Sequence, residues 1–210
     1  MTRKQWRITG TLGLVLASVG CDQDRAEPTE IQAPGPVVER QPLDPPRAAT
    51  EPLAERQEPR RAEADIQAAE GKKIDGDATF EETPQGVRVV VRVEDGPAGK
   101  KGVHIHEKGD CSNIPGESMG SHFAPQGHKH ALPSEPQAQR HLGDLGNLEI
   151  AEDGTGKLEI TVEKANLKEG DRLSFLGKAL VIHDGEDQGA SQQPSGGSGT
   201  PMACAVIKET

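Results

Sequence analysis

All seven histidines of this 210-residue chain lie between His104 and His183, within about eighty residues. His104 and His106 flank Ile105 in a strand-like segment, and the alternation of side chains along a strand places both imidazoles on one face. Alone, this pair is a weak signal, because His-x-His also arises by chance. The confinement of every histidine to one region is hard to explain by packing and indicates that the fold must assemble a metal site.

The other histidines continue the pattern into segments without strand character. They are His122, His128, His130 and His141 between residues 107 and 144, followed by Asp144, and His183 at the end of a later strand. A mixed set of imidazole and carboxylate ligands suits zinc, and an all-imidazole set suits copper. No paired CxxC motif is present, which argues against a zinc ribbon.

Short β-branched segments surround the histidines and predict an all-β sandwich or barrel. They occupy residues 78–81, 87–93, 148–150, 157–162, 179–183 and 203–207, with turn signals at 83–86 and 153–156. The segments 107–144 and 184–202 lack strand character. Loops this long in a compact domain are usually functional.

The first twenty residues have the composition of a signal peptide. Arg3, Lys4 and Arg7 precede a short apolar run over 8–19 that is interrupted by glycines and ends just before Cys21. This run is too short for a stable membrane-spanning helix and fits a cleaved signal. Small residues before a cysteine resemble the bacterial lipobox, in which the cysteine is acylated. The alternative is an ordinary secretory signal with an incidental cysteine.

Residues 21–61 are expected to form a disordered tether. Eight of the sixteen prolines lie between 28 and 59, among Glu, Gln, Ala and Arg residues that bury little apolar surface. The alternative is a binding segment for an unidentified partner. The folded domain is expected over residues 62–210. The net charge of −10 disfavours nucleic acid as a partner and repels an anionic substrate on average.

Six blocks of sequence, in order, resemble the copper/zinc superoxide dismutase family. They are residues 102–107, 122–125, 129–130, 140–147, 180–183 and 203–207. The resemblance covers about residues 62–210 and implies a Greek-key β-sandwich or barrel with two long functional loops. With the signal and Cys21, it implies an exported protein that a lipid anchors to the cell envelope, on the periplasmic face or the cell surface.

The resemblance assigns the metal ligands residue by residue. The implied copper ligands, which also carry catalysis, are His104, His106, His122 and His183. The implied zinc ligands are His122, His130, His141 and Asp144, so His122 bridges the two metals as an imidazolate. His128 matches no ligand position and is expected at the surface. Asp187 resembles a carboxylate that links a copper histidine to a zinc histidine; the alternative is a solvated loop acid.

Cys111 and Cys204 match the family disulfide. Cysteine counting agrees, because a lipidated Cys21 leaves these two as a pair and an oxidising compartment favours a disulfide. Closing a loop of about 90 residues stabilises the fold by roughly 4–5 kcal/mol in the chain-entropy model.

The implied activity is superoxide dismutation through a copper redox cycle, with His122 releasing copper on reduction and carrying a proton to the developing peroxide. One family residue is missing. An arginine usually lies three residues before the second cysteine, and this chain has Pro201 there, in a loop without Lys or Arg from 188 to 202. We therefore expect activity below the family norm and a weak dependence on ionic strength, unless Lys178 or Arg172 substitutes in space.

Two other functions remain open from the sequence. One is a non-enzymatic copper- and zinc-binding lipoprotein that buffers or delivers metal. The other is a zinc-stabilised adhesion or interaction domain, for which His104 and His183 would be dispensable.

Overall fold

The computed structural model describes residues 58–116 and 118–210, and within them the protein is built from β-strands, turns and two short 3₁₀ segments. The expected signal peptide, the expected lipidation site Cys21 and nearly all of the expected tether lie outside these residues. No helix in the described part of the chain is long and apolar enough to cross a membrane.

Ten strands form one antiparallel sheet. They are β1 (Arg61–Asp65), β2 (Gln67–Ala68), β3 (Asp75–Thr83), β4 (Gly86–Asp95), β5 (Gly99–His106), β6 (Asp144–Ile150), β7 (Gly156–Glu163), β8 (Ala179–His183), β9 (Pro201–Val206) and β10 (Lys208–Glu209). The order across the sheet is β10-β1-β3-β4-β7-β6-β5-β8-β9-β2. The consecutive strands β5, β6 and β7 lie side by side with β4 next to β7, which is the Greek-key arrangement.

The first two strands and the last two strands close this sheet into a barrel. Only Ile66 separates β1 from β2, yet β1 pairs with β3 and β10 while β2 pairs with β9 at the opposite end of the order. A sheet that closes in this way leaves few exposed strand edges. Strand pairing in the barrel is least extensive between β6 and β7, which share the single residue pair Ile150–Gly156.

Alternating side chains fill the barrel. Phe80 of β3 and Ile105 of β5 are almost completely buried, and the Phe80 and Phe175 rings meet edge to face with centroids 6.4 Å apart. The outward-facing positions of β7 are exposed, as expected for an antiparallel sheet with one face toward the solvent. The all-β fold predicted from the sequence is therefore confirmed.

The predicted strands are present, but the sequence pattern missed β1, β2 and β10. Strand β1 has the sequence Arg-Ala-Glu-Ala-Asp, which lacks β-branched and aromatic residues. Its two alanines are buried, and its backbone pairs on both sides. Tertiary pairing rather than local propensity makes it a strand.

Two long connections are present, as predicted. One joins β5 to β6 over residues 107–143, and the other joins β8 to β9 over residues 184–200. The predicted disulfide is confirmed: Cys111 in the first connection is bonded to Cys204 in β9, with Cα atoms 5.7 Å apart. The first connection is thereby fixed to the barrel wall.

Candidate metal centre

The end of β5 presents two imidazoles outside the barrel. Ile105 packs into the core, and His104 and His106 lie on the opposite face of the strand, where the two long connections bury them. His183 ends the neighbouring strand β8, one residue beyond the last regular pair with β5. Strand periodicity thus places three histidines on one surface.

Backbone hydrogen bonds bring the first long connection onto this surface. Phe123 N–H donates to the Ile105 carbonyl over 2.8 Å, Gly143 N–H donates to Phe123 over 2.9 Å, and Ile105 N–H donates to Gly143 over 2.8 Å. A Cβ atom on Gly143 would lie 2.3 Å from the Ile105 carbonyl oxygen, so only glycine permits this approach. His122 and Asp144, the neighbours of Phe123 and Gly143, are carried to β5 by these bonds.

Four ring nitrogens converge without partners. His104 Nδ1 and the Nε2 atoms of three other histidines are buried and lack a hydrogen-bond partner among the described residues; those three are His106, His122 and His183. The four side chains form a group whose candidate ligand atoms all lie within 4.8 Å of one another. Buried polar atoms are rarely left unpaired, so this set of donors fits a metal ion. An all-imidazole set suits copper.

The opposite nitrogen of each ring is fixed by the protein. His106 Nδ1 donates to the Gly120 carbonyl over 2.8 Å, and His183 Nδ1 donates to the Gly199 carbonyl over 3.0 Å. His104 Nε2 lies 2.9 Å from a carboxylate oxygen of Asp187, and His122 Nδ1 lies 3.1 Å from Asp144. Such contacts set the tautomer, because a neutral imidazole that donates from one nitrogen has its lone pair on the other.

A second donor set surrounds Asp144. Its Oδ1 atom lies 3.1 Å from His122 Nδ1, 2.9 Å from His130 Nδ1 and 3.2 Å from His141 Nδ1. Three ring nitrogens around one carboxylate oxygen form the mixed imidazole and carboxylate set that suits zinc. These are the four residues that the resemblance assigned to zinc.

The structure differs from the expected zinc set in one respect. The compact group that contains Asp144 includes His104, His122 and His130, but not His141. His141 lies at the edge of this group, with its ring centroid 5.6 Å from that of His122. His128 belongs to neither group; it is partly exposed, and its Nδ1 donates to the Arg140 carbonyl over 3.1 Å.

Asp187 joins the two donor sets. One of its oxygens lies 2.9 Å from His104 Nε2, and the other lies 2.8 Å from His130 Nε2. Asn147 holds the same residue through two backbone contacts, donating to the Asp187 carbonyl and accepting from the Asp187 N–H. Gly196 covers the carboxylate so closely that a Cβ atom there would lie 2.1 Å from its Oδ1. Asp187 is therefore a buried structural link.

The electrostatics keep three histidines of the first donor set neutral: His104, His106 and His183. Burial, followed by repulsion from His122, lowers the pKa of His106 to about 3. Burial is also the main reason why the pKa of His183 falls to about 4 and that of His104 falls well below its usual value. Neutral imidazoles are the form that binds metal ions.

Within the second set, His130 and Asp144 are ionised. Burial disfavours the charged form of His130, but its contacts with Asp144 and Asp187 outweigh burial and raise its pKa to about 9. Burial likewise opposes ionisation of Asp144, yet its contacts with His122, His130 and His141 hold its pKa far below the usual range. The pKa of Asp187 is lowered by His104 and His130 against the same opposing burial.

A cleft of about 600 Å³ is lined by three of the four histidines that carry the unpartnered nitrogens. Its lining includes His106, His122, His141 and His183 at the base, with Glu107, Pro194, Thr200 and Pro201 among the other residues. No Lys or Arg occurs among the described residues that line it. An antiparallel barrel with two adjacent histidine-rich donor sets, sharing His122 and reached by a solvent cleft, defines a binuclear metalloprotein.

Comparison with known proteins identifies the family. A family model for copper/zinc superoxide dismutase matches residues 74–207. A Cu-Zn superoxide dismutase of Deinococcus radiodurans is 36% identical over 146 residues, covering 65% of this chain and 78% of the relative. One of Schizosaccharomyces pombe is 37% identical over 143 residues, covering 64% and 90%. The crystal structure of the clock protein EA4 matches with a TM-score of 0.63 at 32% identity, covering 73% of this chain and 97% of that one.

This chain belongs to the copper/zinc superoxide dismutase family. It is an oxidoreductase of that family, whose cofactors are copper and zinc. The histidine groups described above are positioned for those metals.

Sequence reasoning missed the residues that hold the loops in place. Asn147 and Gly196 support Asp187, and the Gln193 amide donates to the His130 carbonyl over 2.7 Å. The contacts of Asn147 and Gln193 join residues that are 40 and 63 positions apart, respectively. The Gly-Asn pair in the block 140–147 was a usable signal for Asn147, whereas no local pattern marks the other two.

We predict that acid destabilises the metal-free protein between about pH 6.5 and pH 4. Over this range the unfolded chain takes up protons at His106 and His183, whose folded pKa values of about 3 and 4 keep them neutral in the native state. His130 does not offset this loss, because a folded pKa of about 9 makes its stabilisation complete below pH 6.5 and lost as the pH rises.

Urea unfolding of the chelator-treated protein at several pH values measures the slope of the unfolding free energy against pH. His106→Gln should flatten it by about 1.4 kcal/mol per pH unit, the effect of one proton. His128→Gln is the matched control outside both donor sets. An identical slope in His106→Gln and the unaltered protein contradicts the prediction.

Proposed function

We propose that this chain is a superoxide dismutase whose copper is held by one donor set and whose zinc is held by the other. The copper ligands are His104, His106, His122 and His183, and the zinc ligands are His122, His130, His141 and Asp144. The observation that carries the proposal is the convergence of four buried, unpartnered ring nitrogens, three of them on histidines that line an open cleft.

Bound copper supplies one-electron chemistry, in which one superoxide is oxidised to dioxygen and a second is reduced, with two protons, to hydrogen peroxide. The protein orients the ligands for this chemistry. The Gly120 and Gly199 carbonyls fix His106 and His183 with Nε2 directed at the other donors. Because these acceptors are backbone atoms of packed loops, ligand geometry is set before any substrate arrives.

His122 is placed to hold a proton near the substrate. Its Nδ1 contacts Asp144, and its Nε2 has no hydrogen-bond partner among the described residues and belongs to the first donor set. His122 is also among the residues that line the cleft. A proton held at Nε2 is therefore next to the space that the substrate enters.

The approach to the site lacks the positive charge that would attract an anion. Glu107 lines the cleft, and no Lys or Arg does so among the described residues. Lys178 and Arg172 are not among the described residues that line the cleft. Lys178 stands 4.9 Å from the centroid of the Phe123 ring, and Arg172 donates to the Pro125 carbonyl. Pro201 occupies the cleft wall. We therefore propose a slow dismutase with weak dependence on ionic strength.

The absence of Lys and Arg from the described lining of the cleft also favours a second candidate function. A protein that buffers or delivers copper and zinc needs the donor sets but does not need electrostatic steering of an anion. Metal content and catalysis separate the two functions, because a buffering protein binds both metals and leaves superoxide decay unchanged.

For location, we propose export and lipid anchoring at Cys21 to the cell envelope. The support is the basic segment, the short apolar run and the small residues that precede this cysteine.

We predict that the purified protein, loaded with both metals, binds about one copper and one zinc per chain and accelerates superoxide decay. His104→Gln should lose copper and reduce the rate constant by roughly 100-fold or more, since even changes beyond the direct ligands cost 10–100-fold. Elemental analysis and pulse radiolysis measure the two quantities, with His128→Gln as the control. Zinc alone in the loaded protein, or decay no faster than in buffer, refutes the dismutase proposal.

We predict that Pro201→Arg raises the rate constant roughly tenfold at low ionic strength and makes the rate fall with added salt, because a cation at the cleft draws in the anion. Thr161→Arg adds the same charge at an exposed position on β7 and is the matched control. An equal rise in both variants would show an effect of net charge alone, and no rise in Pro201→Arg would contradict the steering argument.

We predict that the protein produced in a Gram-negative host enters the detergent phase in Triton X-114 partitioning and that Cys21→Ser remains in the aqueous phase. Mass spectrometry of the mature N-terminus should find a diacylglyceryl group on Cys21. Aqueous partitioning of the unaltered protein, or detergent partitioning of both forms, excludes the anchor.

A further inference from the structure

Asp184 follows the histidine that ends β8, and three hydrogen bonds join it to Thr200 across the start of β9. The Thr200 N–H donates to Asp184 Oδ1 over 3.0 Å, and the Thr200 hydroxyl donates to Oδ2 over 2.9 Å. The Asp184 N–H donates to the Thr200 carbonyl over 3.0 Å. No other residue in the second long connection is held by a carboxylate through both its backbone and its side chain among the described contacts.

We call these three hydrogen bonds the Asp184–Thr200 clamp. The clamp lies where the hydrogen-bond ladder between β8 and β9 becomes irregular. His183 is opposite Pro201, and the register between β8 and β9 shifts at this point. Proline has no N–H to donate to the ladder. The carboxylate of Asp184 therefore takes the N–H of the preceding residue, Thr200, and fixes the segment that Pro201 cannot fix by a donor of its own.

The residue before Thr200 orients a proposed copper ligand. The Gly199 carbonyl accepts from His183 Nδ1 over 3.0 Å, which directs Nε2 toward the other three donors. Gly199 has a φ of +82°, and a Cβ atom there would lie 2.2 Å from Asp184 Oδ1. The carboxylate thus packs directly against the backbone that carries this carbonyl.

Two lysines hold Asp184 in turn. Lys72 Nζ lies 3.4 Å from Asp184 Oδ2, and Lys101 Nζ donates to the Asp184 carbonyl over 3.0 Å. The clamp is therefore connected to the turn after β2 and to β5. The Asp184 carboxylate contacts Thr200 and Lys72, and a side chain held by two partners constrains a loop better than a freely rotating surface group.

We infer that Asp184 is a positioning residue for the copper site. It fixes Thr200 and Gly199 so that the Gly199 carbonyl holds His183 in one tautomer and one orientation. The inference rests on the proposed function, because it takes His183 as a copper ligand. A residue that only stabilises the loop would change unfolding without changing the copper environment.

The test compares Asp184→Ala with Asp153→Ala in the full-length protein. Asp153 makes the same kind of contact in the β6–β7 turn, accepting from the Thr155 N–H over 3.0 Å and from its hydroxyl over 2.7 Å. Competitive chelator titration gives copper and zinc affinities, and electron paramagnetic resonance gives the Cu(II) hyperfine coupling. Asp184→Ala should weaken copper binding roughly tenfold and change the coupling, with zinc affinity retained. Asp153→Ala should change neither.

Two further variants keep the result interpretable if Asp184→Ala folds poorly. Asp184→Asn retains an oxygen that accepts from the Thr200 N–H and an amide that donates to its hydroxyl, so it should restore the copper signal. Thr200→Val removes only the hydroxyl contact and should shift the coupling partway. Thermal unfolding checks each fold.

Unaltered copper affinity and coupling in Asp184→Ala overturn the inference, as does an equal change in Asp153→Ala or no recovery in Asp184→Asn. If the unaltered protein takes up copper and dismutates superoxide, these outcomes leave the proposed function standing. If it takes up no copper, both the function and the inference fail.

Discussion

Two buried carboxylates, Asp144 and Asp187, are the interaction on which the site depends. Both side chains are fully enclosed, and an isolated buried anion is strongly unfavourable unless it is paired. Their partners are His122, His130 and His141, which the first long connection carries, and His104 of β5. The connections therefore cannot move apart without leaving these charges unpaired. The positions of the two loops and the assembly of the donor sets thus depend on each other.

The barrel contributes half of the site and the backbone of the connections contributes the rest. Strand alternation places His104 and His106, but His122 and Asp144 reach them only because Phe123 and Gly143 bond to Ile105. Bulges next to β-sheet sites often redirect side chains in this way, and the ladder between β5 and β6 shifts register at His104. The disulfide then anchors the loop whose own apolar content is small.

The sequence predicted what local pattern and composition encode. The β-branched segments, the two long loops and the cysteine pair are all present in the structure. The pattern missed β1, whose alanines become a strand only because β3 and β10 provide partners. It also missed the Asp184–Thr200 clamp, because a contact between residues sixteen positions apart depends on a register shift that no local pattern shows.

Ligand orientation and substrate attraction are separable along the second long connection. Asp184, Asp187 and Gly199 orient histidines through contacts at the two ends of this segment. Residues 188–198 and Pro201 carry no cation. A proline at the cleft wall can therefore remove attraction for an anion while the donor set remains complete, provided that another group fixes the adjacent backbone. In our proposal the carboxylate of Asp184 meets that condition, so a complete donor set and an approach without cations can coexist in one chain.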